Sequence, residues 1–265
     1  MRIAAWQGKP VTGGLGESLE CLDKIATQAK EQGADILVTP EMYLSGYNIG
    51  TQAVGEAAHS MAEKGLSALS DLARQNNLCL LVGYPELNDK GQAYNAAALF
   101  GRNGDLLSNY RKSHLFGEVD RAQFTAGDSL SPLIELDGWS ISLGICYDIE
   151  FPEVARSYAL AGADLVLVPT ANMLPFDGVA TRLVPARSEE NSLFMVYANY
   201  CGNEGDFHYC GLSCICGPDG EDLARAGRGE ELIVAELKKD ALRSVRENVR
   251  YLADRRPGLY SKIQE

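Results

Sequence analysis

Residues 33–41 read Gly-Ala-Asp-Ile-Leu-Val-Thr-Pro-Glu, and residues 162–170 read Gly-Ala-Asp-Leu-Val-Leu-Val-Pro-Thr. Both copies hold glycine, alanine, aspartate and proline at the same positions around a short apolar run, and both follow a segment with helical spacing of apolar residues. Such a run, bounded by turn residues, predicts a buried strand. Helix–glycine–strand sequences are common enough to recur by chance. We nevertheless interpret the repeat as two α-β halves related by pseudo-symmetry around one site.

The rest of the chain alternates between helical and extended patterns. Helices are predicted at residues 16–32, 64–76, 152–161 and 179–191. Strands are predicted at residues 2–7, 35–39, 78–83, 93–100, 106–110, 139–145, 164–168, 193–198, 211–216 and 232–236. This mixture predicts an α/β fold with helices outside and mixed sheets inside. No linker divides the chain, so we expect one domain over residues 1–265. The polar segment 238–265 is either a frayed tail or a C-terminal arm on another subunit, and the arm is favoured.

The bulk composition limits the class of partner. Hydrophobic residues make up 46% of the 265 residues, charged residues make up 23%, and the net charge is −12. Nucleic acids and anionic membranes need a positive surface, so neither is an expected partner. The N-terminus reads as a strand and lacks the apolar region of a signal peptide. No apolar run approaches the ~20 residues of a membrane span. We therefore expect a cytoplasmic protein.

The chain has seven cysteines, and the last four lie close together at positions 201, 210, 214 and 216. An odd number without a secretory signal favours free thiols. Zinc ligation must be considered, but none of the last four forms a Cys-x-x-Cys pair, and Cys214 and Cys216 alternate as in a strand. We interpret them as small buried residues and predict no metal site.

Cys146 differs from the others because it ends the apolar run 141–145 and is followed by acids and a proline. A strand that ends there would present the sulfur at the carboxyl edge of a sheet, where open α/β sheets place their ligands. A thiol attacks as the thiolate and needs a base or a positive neighbour. Histidine is the usual base, and His114 and His208 remain possible partners, although no known cysteine–histidine signature surrounds Cys146.

Carboxylate and ammonium side chains are the better candidates for activating this thiol. Glu41 ends the first copy of the repeated strand, and Lys112 ends another apolar strand. A carboxylate in apolar surroundings has a raised pKa that suits it to act as a general base and then as an acid. A lysine can hold that carboxylate ionised and donate to an oxyanion. Alone, each could be an ordinary surface residue.

Three motifs occur in order around these residues: Pro-Glu-Met-Tyr-Leu-Ser-Gly-Tyr at 40–47, Tyr-Arg-Lys-Ser-His-Leu-Phe-Gly at 110–117 and Gly-Ile-Cys-Tyr-Asp-Ile-Glu-Phe-Pro-Glu at 144–153. With them the chain resembles the nitrilase superfamily of carbon–nitrogen hydrolases, from its first strand to about residue 237. The resemblance implies an α-β-β-α four-layer sandwich with internal pseudo-two-fold symmetry. It also implies a homodimer or higher homo-oligomer, often with C-terminal arms that cross between subunits.

The resemblance also implies roles for individual residues. Cys146 would be the nucleophile, Glu41 the general base, and Lys112 the group that stabilises the tetrahedral intermediate together with the peptide N–H of Tyr147. No metal or cofactor is required. Many members carry a second active-site glutamate after the lysine, and this chain departs from that pattern. Glu118 is favoured for this position because it has the longer side chain, and Asp120 is its rival.

Within the superfamily the chain looks most like bacterial amidases that act on 5-aminopentanamide or on R-configured amino carboxamides. The implied reaction is hydrolysis of a small primary amide to the acid and ammonia through a cysteine thioester. Hydrolysis of N-carbamoyl amines is the alternative, and a nitrilase is less favoured because the nucleophile motif is Cys-Tyr-Asp. Tyr47, Asn172 and Met173 are candidates to line the pocket. A non-catalytic scaffold or a glutaminase subunit would be a different class of protein.

Overall fold

The computed structural model describes residues 1–260, which form two six-stranded sheets. The first sheet contains β1 (Arg2–Gln7), β2 (Ile36–Val38), β3 (Cys79–Leu87), β4 (Ala93–Phe100), β5 (Leu106–Arg111) and β14 (Glu231–Glu236). The second contains β6 (Ile134–Leu136), β7 (Trp139–Leu143), β8 (Leu165–Pro169), β9 (Phe194–Ala198), β12 (Cys214–Cys216) and β13 (Asp222–Arg225). A separate hairpin contains β10 (Cys201–Glu204) and β11 (Phe207–Cys210).

The two sheets have the same topology. Their orders are β14-β1-β2-β3-β4-β5 and β6-β7-β8-β9-β12-β13. In each, three central strands are parallel, one antiparallel strand flanks them on one side, and two flank them on the other. The repeated sequences supply β2 and β8, which are equivalent strands. The predicted pseudo-symmetry is therefore confirmed.

The aspartate of each repeat has the same local role. Asp35 accepts a hydrogen bond from the peptide N–H of Arg2 at 2.8 Å, and Asp164 accepts one from the peptide N–H of Ser140 at 3.2 Å. Each carboxylate thereby ties the start of a central strand to its parallel neighbour.

Helices cover the outer face of each sheet. They are α1 (Gly14–Glu31), α2 (Thr51–Ser60) and α3 (Leu66–Asn76) on the first sheet, and α5 (Pro152–Ala161) and α6 (Val184–Asn191) on the second. The remaining helices are α4 (Gly117–Gln123), α7 (Lys239–Asn248) and α8 (Pro257–Tyr260). Single π-helical turns, Met61–Gly65 and Val179–Leu183, precede α3 and α6. One apolar core lies between the sheets, and one lies beneath each helical layer. These layers form the α-β-β-α sandwich that the resemblance implied. Within residues 1–260, no helix is both long and apolar enough to cross a membrane.

The segment after β14 differs from the expected arm. Its first part is α7, which packs on the chain's own second sheet and buries Leu242 to 2% exposure. Arg246 donates to Asp164 at 2.9 Å, and Lys239 also pairs with Asp164. This polar segment therefore begins with a helix that docks on its own domain, because Leu242 and these ion pairs anchor it. Tyr251 and Leu259 beyond α7 are exposed, and residues 261–265 of the expected arm lie outside the described part of the chain.

Candidate active site

The two halves of the molecule meet at the ends of β2 and β8. The peptide N–H of Glu41 donates to the carbonyl of Thr170 at 3.2 Å. The backbone of β3 also approaches this junction closely, since a Cβ on Gly83 would lie 2.6 Å from the carbonyl oxygen of Pro40. Only glycine permits that approach. The repeated strands thus place Glu41 at the junction of both sheets.

A buried cluster of charged groups surrounds Glu41. Nζ of Lys112 donates to Oε1 of Glu41 and to Oδ2 of Asp120, each at 2.7 Å, and all three side chains are 0% exposed. Nδ2 of Asn95 donates to the same Oε1 at 2.7 Å. The peptide N–H of Phe116 donates to Asp120 Oδ2 at 2.8 Å. With two carboxylates and one ammonium, the cluster has a net charge of −1 when fully ionised.

The environment raises the pKa values of Glu41 and Lys112. Burial raises the pKa of Glu41, and the charge of Lys112 opposes that shift while the charge of Asp120 adds to it. Burial alone would lower the pKa of Lys112, but the two carboxylates outweigh it and raise that pKa well above its usual value. Lys112 therefore stays an ammonium ion, and Glu41 is the group placed to exchange a proton.

Several polar atoms in the cluster remain available. Oε2 of Glu41 and Oδ1 of Asp120 are buried and have no hydrogen-bond partner within residues 1–260. An ammonium group has three donors, and Glu41 and Asp120 take two of those of Lys112. One oxygen of Glu41 can thus accept a proton, and one N–H of Lys112 can bind a substrate carbonyl.

Cys146 begins the 3₁₀ turn Cys146–Glu150, two residues beyond the end of β7, with a φ of +47°. A positive φ in a non-glycine residue is a strained conformation of the kind found at functional sites. Burial raises the thiol pKa well above its usual value, and the charge of Glu41 adds to this. Lys112, the Thr170 hydroxyl and the backbone of Ala171 oppose the shift. The resting sulfur is therefore a protonated thiol that needs a base.

Asp148 connects the turn of Cys146 to the segment that carries Lys112. Its Oδ2 accepts hydrogen bonds from the peptide N–H of Ile145 at 3.1 Å and from the Tyr110 hydroxyl at 2.9 Å. Its Oδ1 lies 2.8 Å from Nδ1 of His114. The carboxylate thereby fixes the strand end before the nucleophile relative to residues on both sides of Lys112.

The histidines do not serve as partners of the thiol. His114 is bonded to Asp148, and this hydrogen bond raises its pKa. His208 is exposed, and its Nδ1 lies 2.6 Å from Oδ1 of Asn203. Besides burial, the main influences on the pKa of the Cys146 thiol are the charges of Glu41 and Lys112 and hydrogen bonds from Thr170 and Ala171 after β8.

The sequence-based preference for Glu118 was wrong. Its side chain is 93% exposed and pairs with Arg121 at 3.2 Å on the surface of α4. Asp120 lies two residues further along the same helix and points into the buried cluster instead. The shorter aspartate reaches Lys112 because the helix begins close to it, so side-chain length was the wrong criterion.

The candidate pocket residues differ in their placement. Tyr47 is buried, with its ring centroid 5.6 Å from Nζ of Lys112. Asn172 is buried after β8, but its Nδ2 donates to the carbonyl of Phe176 at 3.1 Å. Met173 is 8% exposed. Tyr147 follows Cys146 at the N-terminus of the 3₁₀ turn, where a peptide N–H lacks an intrahelical partner.

The clustered cysteines are free thiols. The sulfurs of Cys214 and Cys216 lie 3.7 Å apart, and Cys216 lies 3.5 Å from Oδ1 of Asp222. Both oxygens of that carboxylate already accept hydrogen bonds from Arg225. In the described part of the chain, Cys201 and Cys210 do not join this group.

Comparison with known proteins agrees with this geometry. The family model for carbon–nitrogen hydrolases matches residues 2–247. A hydrolase in the pqqF 5′ region of Pseudomonas protegens is 47% identical over all of this chain and 92% of its own length. An (R)-stereoselective amidase of a Pseudomonas species is 37% identical over 89% of this chain and 84% of its own length. The structure of an amidase from Nesterenkonia sp. AN1 superposes with a TM-score of 0.90 at 34% identity, covering 99% of both chains.

The fold and the buried arrangement of an acid, a lysine and a cysteine agree with the family that these comparisons identify. The chain belongs to the carbon–nitrogen hydrolase family of the nitrilase superfamily, and it is a hydrolase of linear amides. The resemblance inferred from the three motifs is thus confirmed at the level of the family and its fold.

Proposed function

We propose that Cys146, Glu41 and Lys112 hydrolyse small primary carboxamides to the acid and ammonia through a thioester. The observation that supports this most strongly is the buried contact between Lys112 and Glu41, to which the Cys146 thiol is electrostatically coupled. In the related amidase from Nesterenkonia sp. AN1, acrylamide adds to an active-site cysteine. Cys146 is the cysteine of this chain that stands beside the acid and the lysine.

In the first half of the reaction, Oε2 of Glu41 accepts the thiol proton and the sulfur of Cys146 attacks the amide carbon. The buried cluster goes from a net charge of −1 to neutral as it takes up this proton, which lowers the cost of forming a thiolate nearby. The remaining N–H of Lys112 and the peptide N–H of Tyr147 donate to the developing oxyanion. Glu41 then returns the proton to the leaving nitrogen, and ammonia departs.

In the second half, Glu41 takes a proton from water, and the resulting hydroxide attacks the thioester carbon. The same two donors stabilise the second tetrahedral intermediate. Collapse expels the sulfur of Cys146, which recovers a proton, and the carboxylic acid leaves. Asp120 contacts Lys112 and not Glu41, so we assign it the role of positioning residue, which orients the lysine.

For the substrate, we propose an ω-amino amide such as 5-aminopentanamide, or an R-configured amino carboxamide. The 37% identity to an (R)-stereoselective amidase supports the amide class. N-carbamoyl amines remain the second candidate, since their urea carbonyl presents the same group to the thiol. A relative from Pyrococcus abyssi, 34% identical over 85% of this chain, is a nitrilase, which makes nitriles a third class to test.

We further propose that residues 1–265 form one domain that assembles as a cytoplasmic homodimer. The core shared by both sheets supports a single domain. The exposed aromatic side chains of Tyr251 and Tyr260, beside Arg156 and Glu190, support an intersubunit contact there. Sedimentation of the wild type and of a chain ending at residue 249 tests the dimer.

The experiment that tests the function is ammonia release from ω-amino amides, R- and S-amino amides, N-carbamoyl amines and nitriles. We expect release from at least one amide by the wild type and none above background by Cys146→Ala. The matched control is Cys21→Ala, which removes a half-buried thiol on α1 and should leave activity unchanged. Full activity in Cys146→Ala would refute the proposal.

A further inference from the structure

The proposed nucleophile lies in the 3₁₀ turn Cys146–Glu150. Within this turn Cys146, Asp148 and Ile149 are buried, whereas Tyr147 and Glu150 are partly exposed. In a 3₁₀ helix, residues three apart align on one face. Tyr147 and Glu150 therefore lie on the same side of the turn that carries the nucleophile.

A row of aromatic rings packs beside the turn that carries Cys146. The ring of Tyr147 packs edge-on against Phe116 at 5.3 Å and against Phe151 at 4.9 Å between centroids, and Phe116 packs against Phe176 at 5.8 Å. Phe116 is also the residue whose peptide N–H binds Asp120. The rings thus adjoin the catalytic cluster, and Phe176 is 44% exposed at their outer end. Faces of aromatic rings attract cations.

The carboxylate of Glu150 has no hydrogen bond or ion pair within residues 1–260. Its backbone carbonyl is held by Nη2 of Arg187 at 2.8 Å, while Nε and Nη1 of that arginine bind the carbonyl of Ile149 and the carboxylate of Glu190. Three of the five N–H donors of this guanidinium are thus used to fix the turn and to bind Glu190. The charges of Lys112 and Arg187 both favour the ionised form of Glu150.

The charges around the site favour a cationic ligand. The cluster of Glu41, Lys112 and Asp120 carries a net charge of −1, and ionised Glu150 adds a second negative charge. Of the two cations that act on Glu150, Lys112 is bound by two carboxylates and Arg187 by two backbone carbonyls and Glu190. Burial raises the pKa of Glu150 to about 7, and a bound cation would stabilise its ionised form. A carboxylate on the substrate would meet repulsion instead.

We propose that Glu150 and the ring of Tyr147 bind a positively charged group on the acyl part of the substrate, so that the enzyme selects amides bearing an ammonium group over amides bearing a carboxylate. This inference rests on the proposed hydrolysis of amides at Cys146. A rise of about 2 Å per residue separates the backbones of Cys146 and Glu150 by about 8 Å along the turn. An extended five-carbon amide spans a comparable distance from its carbonyl carbon to a terminal ammonium.

The test compares amides of matched length on wild type, Glu150→Gln and Glu150→Lys. The substrates are 5-aminopentanamide, hexanamide (a methyl group in place of the ammonium) and glutaric acid monoamide, which carries a carboxylate. For Glu150→Gln we expect kcat/KM on 5-aminopentanamide to fall by about tenfold, mainly through KM, because a hydrogen bond to a charged group is lost. Activity on hexanamide should stay within about twofold. Glu150→Lys should shift the preference towards the carboxylate substrate.

Glu153→Gln, three residues further on at the exposed start of α5, is the matched control. It should not change the preference for 5-aminopentanamide over hexanamide or over glutaric acid monoamide. Equal losses on charged and neutral amides in Glu150→Gln, or no loss on 5-aminopentanamide, would overturn the inference. Wild-type hydrolysis of hexanamide with no preference for the ammonium substrate would also overturn it while leaving the proposed function intact. Failure of the wild type on every amide would instead remove the proposed function.

Discussion

Nζ of Lys112 lies 2.7 Å from Oε1 of Glu41, and neither side chain has any surface exposed to solvent. Buried ion pairs persist only where geometry and further hydrogen bonds offset the desolvation of both charges. Here Asn95 and Asp120 supply those contacts. The arrangement keeps a charged lysine and a proton-accepting carboxylate together in the core, which is the condition that the proposed reaction needs.

Removing the ammonium should affect both folding and activity. Lys112→Met keeps most of the side-chain volume but leaves Glu41 and Asp120 buried without a counterion. We expect the free energy of unfolding to fall by about 3–5 kcal/mol and ammonia release to fall below detection. Urea denaturation and an ammonia assay measure the two effects. An unchanged free energy of unfolding would contradict the ion-pair geometry.

Substitutions of Asp120 and of Glu118 should have clearly different effects on activity. Asp120→Asn removes the charge that holds Lys112, so we expect kcat to fall by about 100-fold, in the range measured for loss of an oxyanion donor. The profile of kcat against pH should also move, because the charge of Asp120 raises the pKa of Glu41. Glu118→Gln, on the exposed side of the same helix, is the control and should retain wild-type kinetics. A loss of activity in Glu118→Gln with wild-type kinetics in Asp120→Asn would instead identify Glu118 as the second active-site acid.

The pair of His114 and Asp148 should make stability depend on pH. The hydrogen bond to Asp148 raises the pKa of His114 in the folded protein. The pair's contribution is therefore fully present below the unfolded-state pKa, about 6.5, and is lost as pH rises through the higher folded-state pKa. His114→Gln should thus destabilise the protein more at acidic than at alkaline pH. Denaturation curves of both proteins across this range measure the difference, and a pH-independent difference would count against it.

The two repeated aspartates offer a matched comparison. Asp164 is 9% exposed and binds Lys239 and Arg246 of α7, whereas Asp35 is 38% exposed and binds Arg102. Asp164→Asn should cost about 1.5–3 kcal/mol and speed hydrogen exchange in α7. Asp35→Asn should cost about 1 kcal/mol or less and leave α7 protected. Equal protection of α7 in both variants would argue against this anchor.

The sequence was sufficient to predict features that depend on local pattern. The repeat identified the equivalent strands β2 and β8, and Glu41, Lys112 and Cys146 each follow a strand as predicted. Features that depend on three-dimensional contacts were missed. Asn95 lies in an otherwise apolar strand, and that lone polar residue was the available signal for a contact to Glu41.

The sequence did not predict the docking of the polar helix α7 or the choice of Asp120 over Glu118, and the physical reason is similar in both cases. In the first case a charged side chain docks through a partner distant along the chain. In the second, Asp120 binds Lys112, which is buried because its other partner, Glu41, is distant along the chain. Arg246 binds Asp164 across 82 positions, and Lys112 and Glu41 are 71 positions apart. Composition indicates exposure for such residues, and only the fold brings their partners to them.

The central claim is that Cys146 carries the acyl group during turnover. Wild-type protein quenched in acid during hydrolysis of an accepted amide should show, by mass spectrometry, one added acyl mass on the peptide that contains Cys146. The adduct should disappear in Cys146→Ala, together with ammonia release. An acyl mass on any of the other six cysteines, or continued ammonia release by Cys146→Ala, would contradict the account.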